Sequence, residues 1–283
     1  MKPKISFDEY YVKNLNEYNS IIQTLILDHR EIYFRGQSQA KYKLVPSIAR
    51  GMPKDFKPKL HEVELYTAFR RRMAVYKEET FREYTSISTQ NNLETIAIAQ
   101  HNGLKTRLLD WSTNPLTSLY FSCENSHEIK SDSQEDPYCI IWVLVAPEDR
   151  AIRNQFFFND EDTNKKMEDL VELPETKMYV PTIVNPRIKN QSGLFSVIHF
   201  EHENKSYIPF EENEKFFAHK FSGNAYDMTK DWNMMKILIN RKLYGVDIER
   251  NLRRFDIHKE TIYPGLESLG KRLSFDFENG FVQ

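Results

Sequence analysis

The spacing of apolar residues along the chain predicts an alternation of helices and strands. Apolar positions recur at three- and four-residue intervals in several segments, as in amphipathic helices. The predicted helices cover residues 14–30, 59–83, 93–101, 114–121, 232–244 and 246–255. Short apolar runs predict strands over residues 31–36, 139–146, 179–184 and 194–200. The nearly continuous apolar run at 139–146 indicates a strand buried in the centre of a sheet.

Individual residues indicate where two of these helices begin and how a third is oriented. Asn92 is predicted to cap the third helix. Pro115 suits the first turn of the next, because its missing N–H costs nothing there. In helix 59–83 the apolar residues, beginning with Leu60, lie near one side, and the basic run 70–72 reaches round to the other.

The mixture of elements predicts an α+β fold in a single domain that spans residues 1–283. Hydrophobic residues make up 40% of the chain and charged residues 28%, which is ordinary for a globular protein and argues against disorder. Polar stretches at 126–137 and 159–169 are predicted surface loops, too short to be domain linkers.

Net charge, cysteine content and the lack of long apolar runs restrict the class of protein to which the chain can belong. The formal net charge of −2 gives no global basic field for nucleic acid. Cys123 and Cys139 show no metal-ligand spacing, so we expect neither a structural metal nor a disulfide framework. The N-terminal residues lack the apolar core of a signal peptide, and no apolar run approaches the roughly 20 residues of a membrane span. These features predict a soluble cytoplasmic protein without a membrane partner.

Three segments carry the most distinctive sequence. They are YFRGQ at 33–37, QHNGLKTRLLDWSTNPLTSLYFS at 100–122 and NPRIKNQSGLF at 185–195. Their order and spacing resemble the signature of the FRG domain, which is named for the Phe-Arg-Gly of its first strand. The resemblance covers about residues 30–270, with 1–29 as a helical extension, and the segment 245–269 is similar to the usual close of the family.

Arg35 follows three residues that favour a strand, Ile32 to Phe34, and precedes Gly36. A guanidinium at a strand end offers a rigid fork for a phosphate or carboxylate, and a glycine lets backbone or ligand approach closely. A buried structural pair between Arg35 and Asp110 is an equal alternative.

The middle segment places His101, Arg107, Asp110, Trp111 and Ser112 in a short stretch. The charged residues of TRLLDW flank an apolar pair, so each needs a partner or must face a cleft. Asp110 is either a general base or, as we favour, a group that orients an arginine. Trp111 is either a ring that stacks on a ligand or, by default, a core residue. His101 is a helix-end histidine or a site residue.

The third segment is predicted to form a loop before the strand at 194–200. Asn185-Pro186 and Gly193 are turn signals. Arg187, Gln191 and Ser192 therefore lie on a loop held by a strand, which is where functional residues often occur. The alternative is a turn in which Gln191 satisfies backbone groups.

The chain also resembles ADP-ribosyltransferases of the Arg-Ser-Glu type, which have an aromatic-Arg-Gly first strand and a Ser/Thr strand end that leads into a helix. The resemblance implies a central, split, mostly antiparallel sheet flanked by helices, and NAD as substrate. Arg35 would bind an NAD phosphate or ribose, and Ser112 would brace the nicotinamide side. The expected cleft is lined by Arg35, Gly36, Arg107, Asp110, Trp111, Ser112 and Gln191, with His101 and Arg187 as further candidates.

One position departs from that pattern. Gln191 occupies the place of the expected glutamate, and a glutamine stabilises an oxocarbenium-like state less well than a carboxylate does. Either Asp110 or Glu201 supplies the charge, or the protein is inactive. The Ser/Thr run at 85–89 also resembles a Ser/Thr strand, but it lies between two predicted helices.

The alternative function is a module that senses nucleic acid or a protein without catalysis. Arg35, Arg107, Arg187 and the run 70–72 would bind phosphates, and aromatic residues would stack on bases. FRG-like proteins resemble components of bacterial toxin or anti-phage defence systems. This implies an RNA, DNA or protein acceptor and a neutralising antitoxin as partners.

Overall fold

The computed structural model describes residues 6–26, 30–50, 52–73, 91–124, 126, 136–159, 162, 165–181 and 193–263. The strands are β1 (Asp8–Val12), β2 (Ile32–Gln37), β3 (Leu108–Ser112), β4 (Tyr138–Val145), β5 (Lys177–Tyr179), β6 (Gly193–Val197), β7 (Phe200–Glu201), β8 (Ser206–Tyr207) and β9 (Asn233–Asn240). The α-helices are α1 (Leu15–Ile26), α2 (Pro58–Met73), α3 (Asn92–His101), α4 (Pro115–Cys123), α5 (Arg150–Gln155), α6 (Met167–Leu170), α7 (Ala218–Ser222), α8 (Arg241–Arg253) and α9 (Lys259–Ile262). Short 3-10 turns lie at Ser47–Ala49 and Phe210–Glu212.

Seven strands form one mixed sheet in the order β1-β9-β4-β2-β3-β6-β5. The edge strand β1 runs parallel to β9, and every other neighbouring pair in this sheet is antiparallel. The α+β class and the mostly antiparallel sheet predicted from the sequence are therefore confirmed. Likeness to the ADP-ribosyltransferase fold in particular stays a prediction.

The sheet is weakest between β2 and β3. β2 pairs with β4 along its whole length, from Ile32 opposite Val145 to Gln37 opposite Ile140. Its register with β3 consists of one pair, Phe34 with Ser112. Because the two strands separate beyond that pair, the middle of the sheet opens on the side of Gln37.

The alternation of β4 residues divides the core between the two faces of the sheet. Ile140 and Trp142 face an aromatic core that also contains Trp111, Trp232, Phe210, Phe216 and Phe217. Ile141 and Val143 face the opposite core, under α1, α4 and α8. On that second face another cluster, around Tyr66, Ile96, Leu108 and Phe195, lies under α2 and α3. The boundary between the two clusters of this face falls where β2 and β3 separate.

Most predicted elements are found close to their expected bounds. The helix predicted at 14–30 is α1, the strand at 31–36 is β2, the helix from Asn114-Pro115 is α4, and the central strand is β4. The helix over 246–255 is α8, which begins earlier, at Arg241. The strand predicted at 194–200 corresponds to β6 and the short β7, and that at 179–184 overlaps β5, with 182–184 outside the described residues.

The helix predicted over 232–244 is wrong, because Asn233–Asn240 forms strand β9. This strand lies between β1 and β4 and has Ile237 and Ile239 fully buried, so its sequence lacks the polar alternation of a half-exposed strand. Periodicity alone does not separate such a run from a buried helix.

Two details of helix ends and faces also differ from prediction. The cap of α3 is Asn91, whose side chain accepts the N–H of Glu94 at 3.1 Å, and Asn92 is the first helical residue. In α2 the expected core residue Leu60 is 49% exposed, whereas Glu62 and Tyr66 are fully buried. Residues 74–83 of the predicted helix lie outside the described residues. Within the described part of the chain, no helix has the length and apolar character that crossing a membrane requires.

Candidate functional site

A cavity of about 420 Å³ opens where β2 and β3 separate. We call it the β2–β3 pocket. Its walls are residues 34–38 of β2 and its end, residues 110–112 of β3, and side chains from α3, α4 and β6. Its charged lining side chains are Arg35, Arg50 and Asp110, and the titratable side chains of His101, Tyr42 and Tyr263 also line it. The pocket therefore combines apolar lining residues with a small set of convergent polar groups, as ligand sites do.

Arg35 spans the opening between the two strands. Its Nη1 donates to the backbone carbonyl of Asp110 at 2.7 Å and to the carboxylate of the same residue at 3.2 Å. The Arg35 side chain is 18% exposed, and its buried Nε has no hydrogen-bond partner among the described residues. Burial lowers the pKa of Arg35 from its ordinary value and the charge of Arg50 lowers it further, while Asp110 opposes both effects. An arginine nevertheless stays protonated in proteins, so a cationic donor group faces this pocket.

Asp110 is held from two sides. Its second carboxylate oxygen accepts a hydrogen bond from Gln100 Nε2 at 2.7 Å. The side-chain oxygen of Gln100 in turn accepts from the hydroxyl of Thr106. Since Gln100 lies near the end of α3 and Thr106 just before β3, this chain of bonds fixes the carboxylate relative to both elements. The side chain of Asp110 is 54% exposed, so it remains accessible from the pocket.

Ser112 and His101 both line the same pocket. Ser112 is buried at the end of β3, and its Oγ accepts the N–H of Asn114 at 3.0 Å. Asn114 caps α4 by accepting from the N–H groups of Leu116 and Thr117. The predicted strand-to-helix connection thus holds Ser112 beside the pocket. His101 is the last residue of α3.

Gly36 has a structural reason to be a glycine. A Cβ atom at this position would lie 2.0 Å from the carbonyl oxygen of Ser118 and 2.8 Å from the nitrogen of Ser122. The backbone that Gly36 admits is that of α4, which packs directly on β2. Gly36 also lines the pocket, so the close approach of α4 shapes one wall of the site.

Trp111 forms part of the aromatic core. It is 1% exposed, its Nε1 donates to Ser196 Oγ at 3.0 Å, and its ring meets Phe210 edge to face at 5.5 Å. Of the two roles open to it, the structure supports the core residue. Trp111 backs the wall of the pocket and does not present a free ring face to it.

Arg107 does not belong to the pocket, although the sequence placed it in the same cleft as Arg35. Its side chain is fully buried and pairs with Glu62, with Nε 2.9 Å from the carboxylate. It also donates to the carbonyl oxygens of Leu170 and Val171. Burial lowers the pKa of Arg107, but the charge of Glu62 outweighs it and the net pKa is raised. The residue needed a charged partner, and α2 supplies it from inside the core.

The remaining candidates are split between the rest of the chain and the part that is not described. Arg187, Gln191, Ser192 and the run 85–89 lie outside the described residues. Glu201, the alternative source of negative charge, lies on β7 and lines a second cavity of about 1250 Å³ instead of the β2–β3 pocket.

Several residues of the pocket were not predicted as site residues from the sequence, among them Gln100, Tyr42 and Arg50. Gln100 positions Asp110, and Tyr42 and Arg50 line the pocket from the segment after β2. Gln100 had a weak signal, because it is a polar residue that ends the apolar run of α3. Tyr42 and Arg50 lie in an irregular segment with no periodic pattern, so only the fold brings them to the site.

The fold and the site define an α+β protein whose polar pocket opens between two central strands of a mostly antiparallel sheet. Residues 30–131 match the family model of the FRG domain, so this part of the chain is similar to that family. The matched segment contains Arg35, Asp110 and the whole of α4. Comparison with curated proteins gave no match, and comparison with solved structures gave none either.

Proposed function

We propose that this protein is an ADP-ribosyltransferase-like enzyme that takes NAD as its substrate in the β2–β3 pocket. The observation that carries the proposal is the Arg35–Asp110 pair at the wall of an open cavity. If the pair were sealed inside a filled core, it would have a structural role alone. Here the carboxylate is half exposed, and the guanidinium keeps a buried Nε that lacks a described partner.

The proposed reaction transfers ADP-ribose from NAD to an acceptor. The bond between the nicotinamide nitrogen and ribose C1′ breaks, and nicotinamide leaves with the electron pair. An oxygen or nitrogen atom of the acceptor bonds to C1′ and releases its proton to a base or to water. The state between these steps resembles an oxocarbenium ion, which a nearby carboxylate stabilises.

The residues of the pocket suit these tasks. Arg35 offers a fork of N–H donors for a phosphate or a ribose hydroxyl. Asp110 holds that fork and adds negative charge at the wall. Ser112 lies beside the pocket at the start of the turn into α4, where it would brace the nicotinamide side. Gln191 precedes the pocket residue Gly193 by two positions, and its place near the nicotinamide ribose is part of the proposal.

The alternative, a non-catalytic module that senses nucleic acid or a protein, has less support. It relied on several arginines, including Arg107, forming a broad positive surface. Arg107 instead neutralises Glu62 within the core. The β2–β3 pocket is a cavity lined by both polar and apolar side chains, which suits a small ligand better than a nucleic-acid backbone.

The proposed setting is a bacterial toxin or anti-phage defence system in which an RNA, DNA or protein acceptor is modified and an antitoxin neutralises the enzyme. This setting follows from the family resemblance and depends on the enzymatic proposal.

The test is incubation of the pure protein with NAD labelled in its adenylate phosphate, together with a mixed pool of RNA, DNA and protein. Wild type, Arg35→Ala and Arg35→Lys are compared, with Arg150→Ala as a control because Arg150 is exposed on α5, outside the pocket. We expect label transfer by wild type and Arg150→Ala, and none by a folded Arg35→Ala protein. Absence of label transfer, nicotinamide release and NAD binding in the wild type would refute the proposal.

A further inference from the structure

Arg50 is held near Arg35 by a turn that is tied to β3. The 3-10 turn Ser47–Ala49 carries Arg50 at its end. Ser47 Oγ accepts the N–H of Thr106 at 3.0 Å, and Ile48 donates its N–H to the carbonyl of Thr106 at 3.1 Å. Because Thr106 also bonds to Gln100, the turn and Asp110 belong to one connected network. Arg50 is therefore placed by the same framework that places the Arg35–Asp110 pair.

Tyr42 supports the guanidinium of Arg50 from one side. The Cζ of Arg50 lies 6.0 Å from the centroid of the Tyr42 ring, at the outer limit of a cation–π contact. Both residues line the β2–β3 pocket. Lys105 donates to the carbonyl oxygen of Arg50 at 3.1 Å, which holds the backbone of Arg50 and places a further positive charge beside it.

The charges at this pocket do not cancel. Arg35 and Arg50 contribute two positive charges, and Asp110 is the carboxylate among the lining residues. Among the described residues Arg50 has no carboxylate within ion-pairing distance, whereas Asp110 is already engaged by Arg35. Two arginines with one carboxylate leave an excess positive charge, and a ligand with adjacent negative groups would neutralise it. Guanidinium groups bind phosphate oxygens in a planar, two-pronged manner that lysine does not reproduce.

We propose that Arg35 and Arg50 form a two-arginine subsite for a diphosphate group, so that the pocket binds nucleoside diphosphates and dinucleotides in preference to monophosphates. Arg35 binds the inner phosphate from the pocket wall, and Arg50 binds the outer phosphate from the mouth, with Tyr42 positioning it. This inference rests on the proposed function, because it assigns the part of the site that would hold the diphosphate of NAD.

The experiment compares binding of ADP and AMP by isothermal titration calorimetry. The proteins are wild type, Arg50→Ala and Arg50→Lys, with Arg150→Ala as the control for loss of an exposed arginine. In Arg50→Ala we expect ADP binding to weaken about tenfold or more, as for loss of a charged hydrogen bond, while AMP binding changes less than about threefold. Arg50→Lys keeps the charge without the planar fork, so its affinity for ADP should lie between those of wild type and Arg50→Ala. A thermal melt of each variant checks that it is folded.

The outcomes separate this inference from the enzymatic proposal. Equal loss of ADP and AMP binding in a folded Arg50 variant, no loss at all, or a wild type that binds neither nucleotide would overturn the subsite. If Arg50→Ala does not fold, Arg50→Lys decides the matter by the same comparison. A wild type that shows the expected ADP selectivity but releases no nicotinamide from NAD would refute the enzymatic proposal and leave the subsite standing. NAD turnover together with unchanged nucleotide binding in the Arg50 variants would overturn the subsite and leave the enzymatic proposal standing.

Discussion

Arg35 Nη1 lies 2.7 Å from the carbonyl oxygen of Asp110 and 3.2 Å from its carboxylate. These contacts occur just past Phe34 and Ser112, the last pair that joins β2 to β3. One cationic side chain therefore bridges two strands where the backbone ladder has ended. The same contact holds the sheet together and forms the wall of the pocket, so variants at this pair must be measured for both stability and activity.

Asp110→Asn should impair the site more than the fold. The carboxylate receives hydrogen bonds from two donors, Arg35 Nη1 and Gln100 Nε2. An asparagine has one acceptor oxygen and an NH₂ group, so one donor loses its partner and Arg35 loses its counter-charge. We expect nicotinamide release from NAD to fall by about tenfold or more, with a loss of about 1–2 kcal/mol in the free energy of unfolding. Unchanged turnover would contradict the role given to Asp110, and Asp247→Asn, exposed on α8, is the control.

Gly36→Ala should destabilise the protein through a steric clash. The added methyl would lie 2.0 Å from Ser118 O, which belongs to the backbone of α4 and cannot rotate away. We expect a loss of roughly 1–3 kcal/mol or more in urea unfolding, as for overpacked cores. Gly103→Ala isolates the backbone contribution, since its added methyl meets no atom within 4 Å and any loss there comes from the left-handed φ of +85°. A loss below about 0.5 kcal/mol for Gly36→Ala would contradict the close packing of α4 on β2.

Arg107→Met should destabilise the fold strongly. Glu62 would remain fully buried, with the hydroxyls of Tyr66 and Tyr207 as its donors and no counter-charge. Removing one partner of a buried ion pair costs about 3–5 kcal/mol. Adding Glu62→Gln keeps an acceptor for the tyrosines and removes the uncompensated charge, so the double variant should recover part of the loss. Chemical denaturation of the two single variants and the double variant measures this coupling, and additive losses would contradict it.

Glu211 should make stability fall as the pH rises. Its carboxylate accepts the N–H of Leu44 at 3.1 Å, and burial raises its pKa from 4.5 to about 7. Between these values the folded state binds more protons than the unfolded state, so the free energy of unfolding decreases with pH and levels off above about pH 7. Glu211→Gln should flatten this slope and raise stability at pH 8, on the order of 2 kcal/mol.

The measurement for Glu211 is urea unfolding at several pH values from 4.5 to 8. Glu148→Gln, at an exposed glutamate, is the control and should leave the slope as in wild type. An unchanged slope in Glu211→Gln would show that another group is responsible for the pH dependence.

The sequence predicted local structure well where one face of an element is exposed. The helix at 14–30 and the capped turn into α4 follow from apolar spacing and from the Asn-Pro pair. Prediction from the sequence failed for β9, because a strand with neighbours on both sides and both faces buried shows no alternation of polar and apolar residues. It also misplaced the buried face of α2, where the partners Glu62 and Tyr66 are polar and their burial depends on Arg107 from a distant segment.

The candidate site likewise contains residues that the sequence indicated and residues that only the fold brings there. Arg35, Gly36 and the turn from Ser112 to Asn114 were recognisable because their spacing is local and their residue types are unusual. Arg50 and Tyr42 had no such signal, since their contribution depends on where an irregular segment is anchored.

The sequence by itself determined the α+β class, the strand that carries Arg35, and the need of each buried arginine for a charged partner. Only the tertiary structure decided which arginine reaches a cavity. Arg107 meets Glu62 of α2 inside the core, while Arg35 meets the half-exposed Asp110 where β2 and β3 separate. Both pairs join residues far apart in the chain, and the free energy of a charge depends on the partner and the solvent that the completed fold provides.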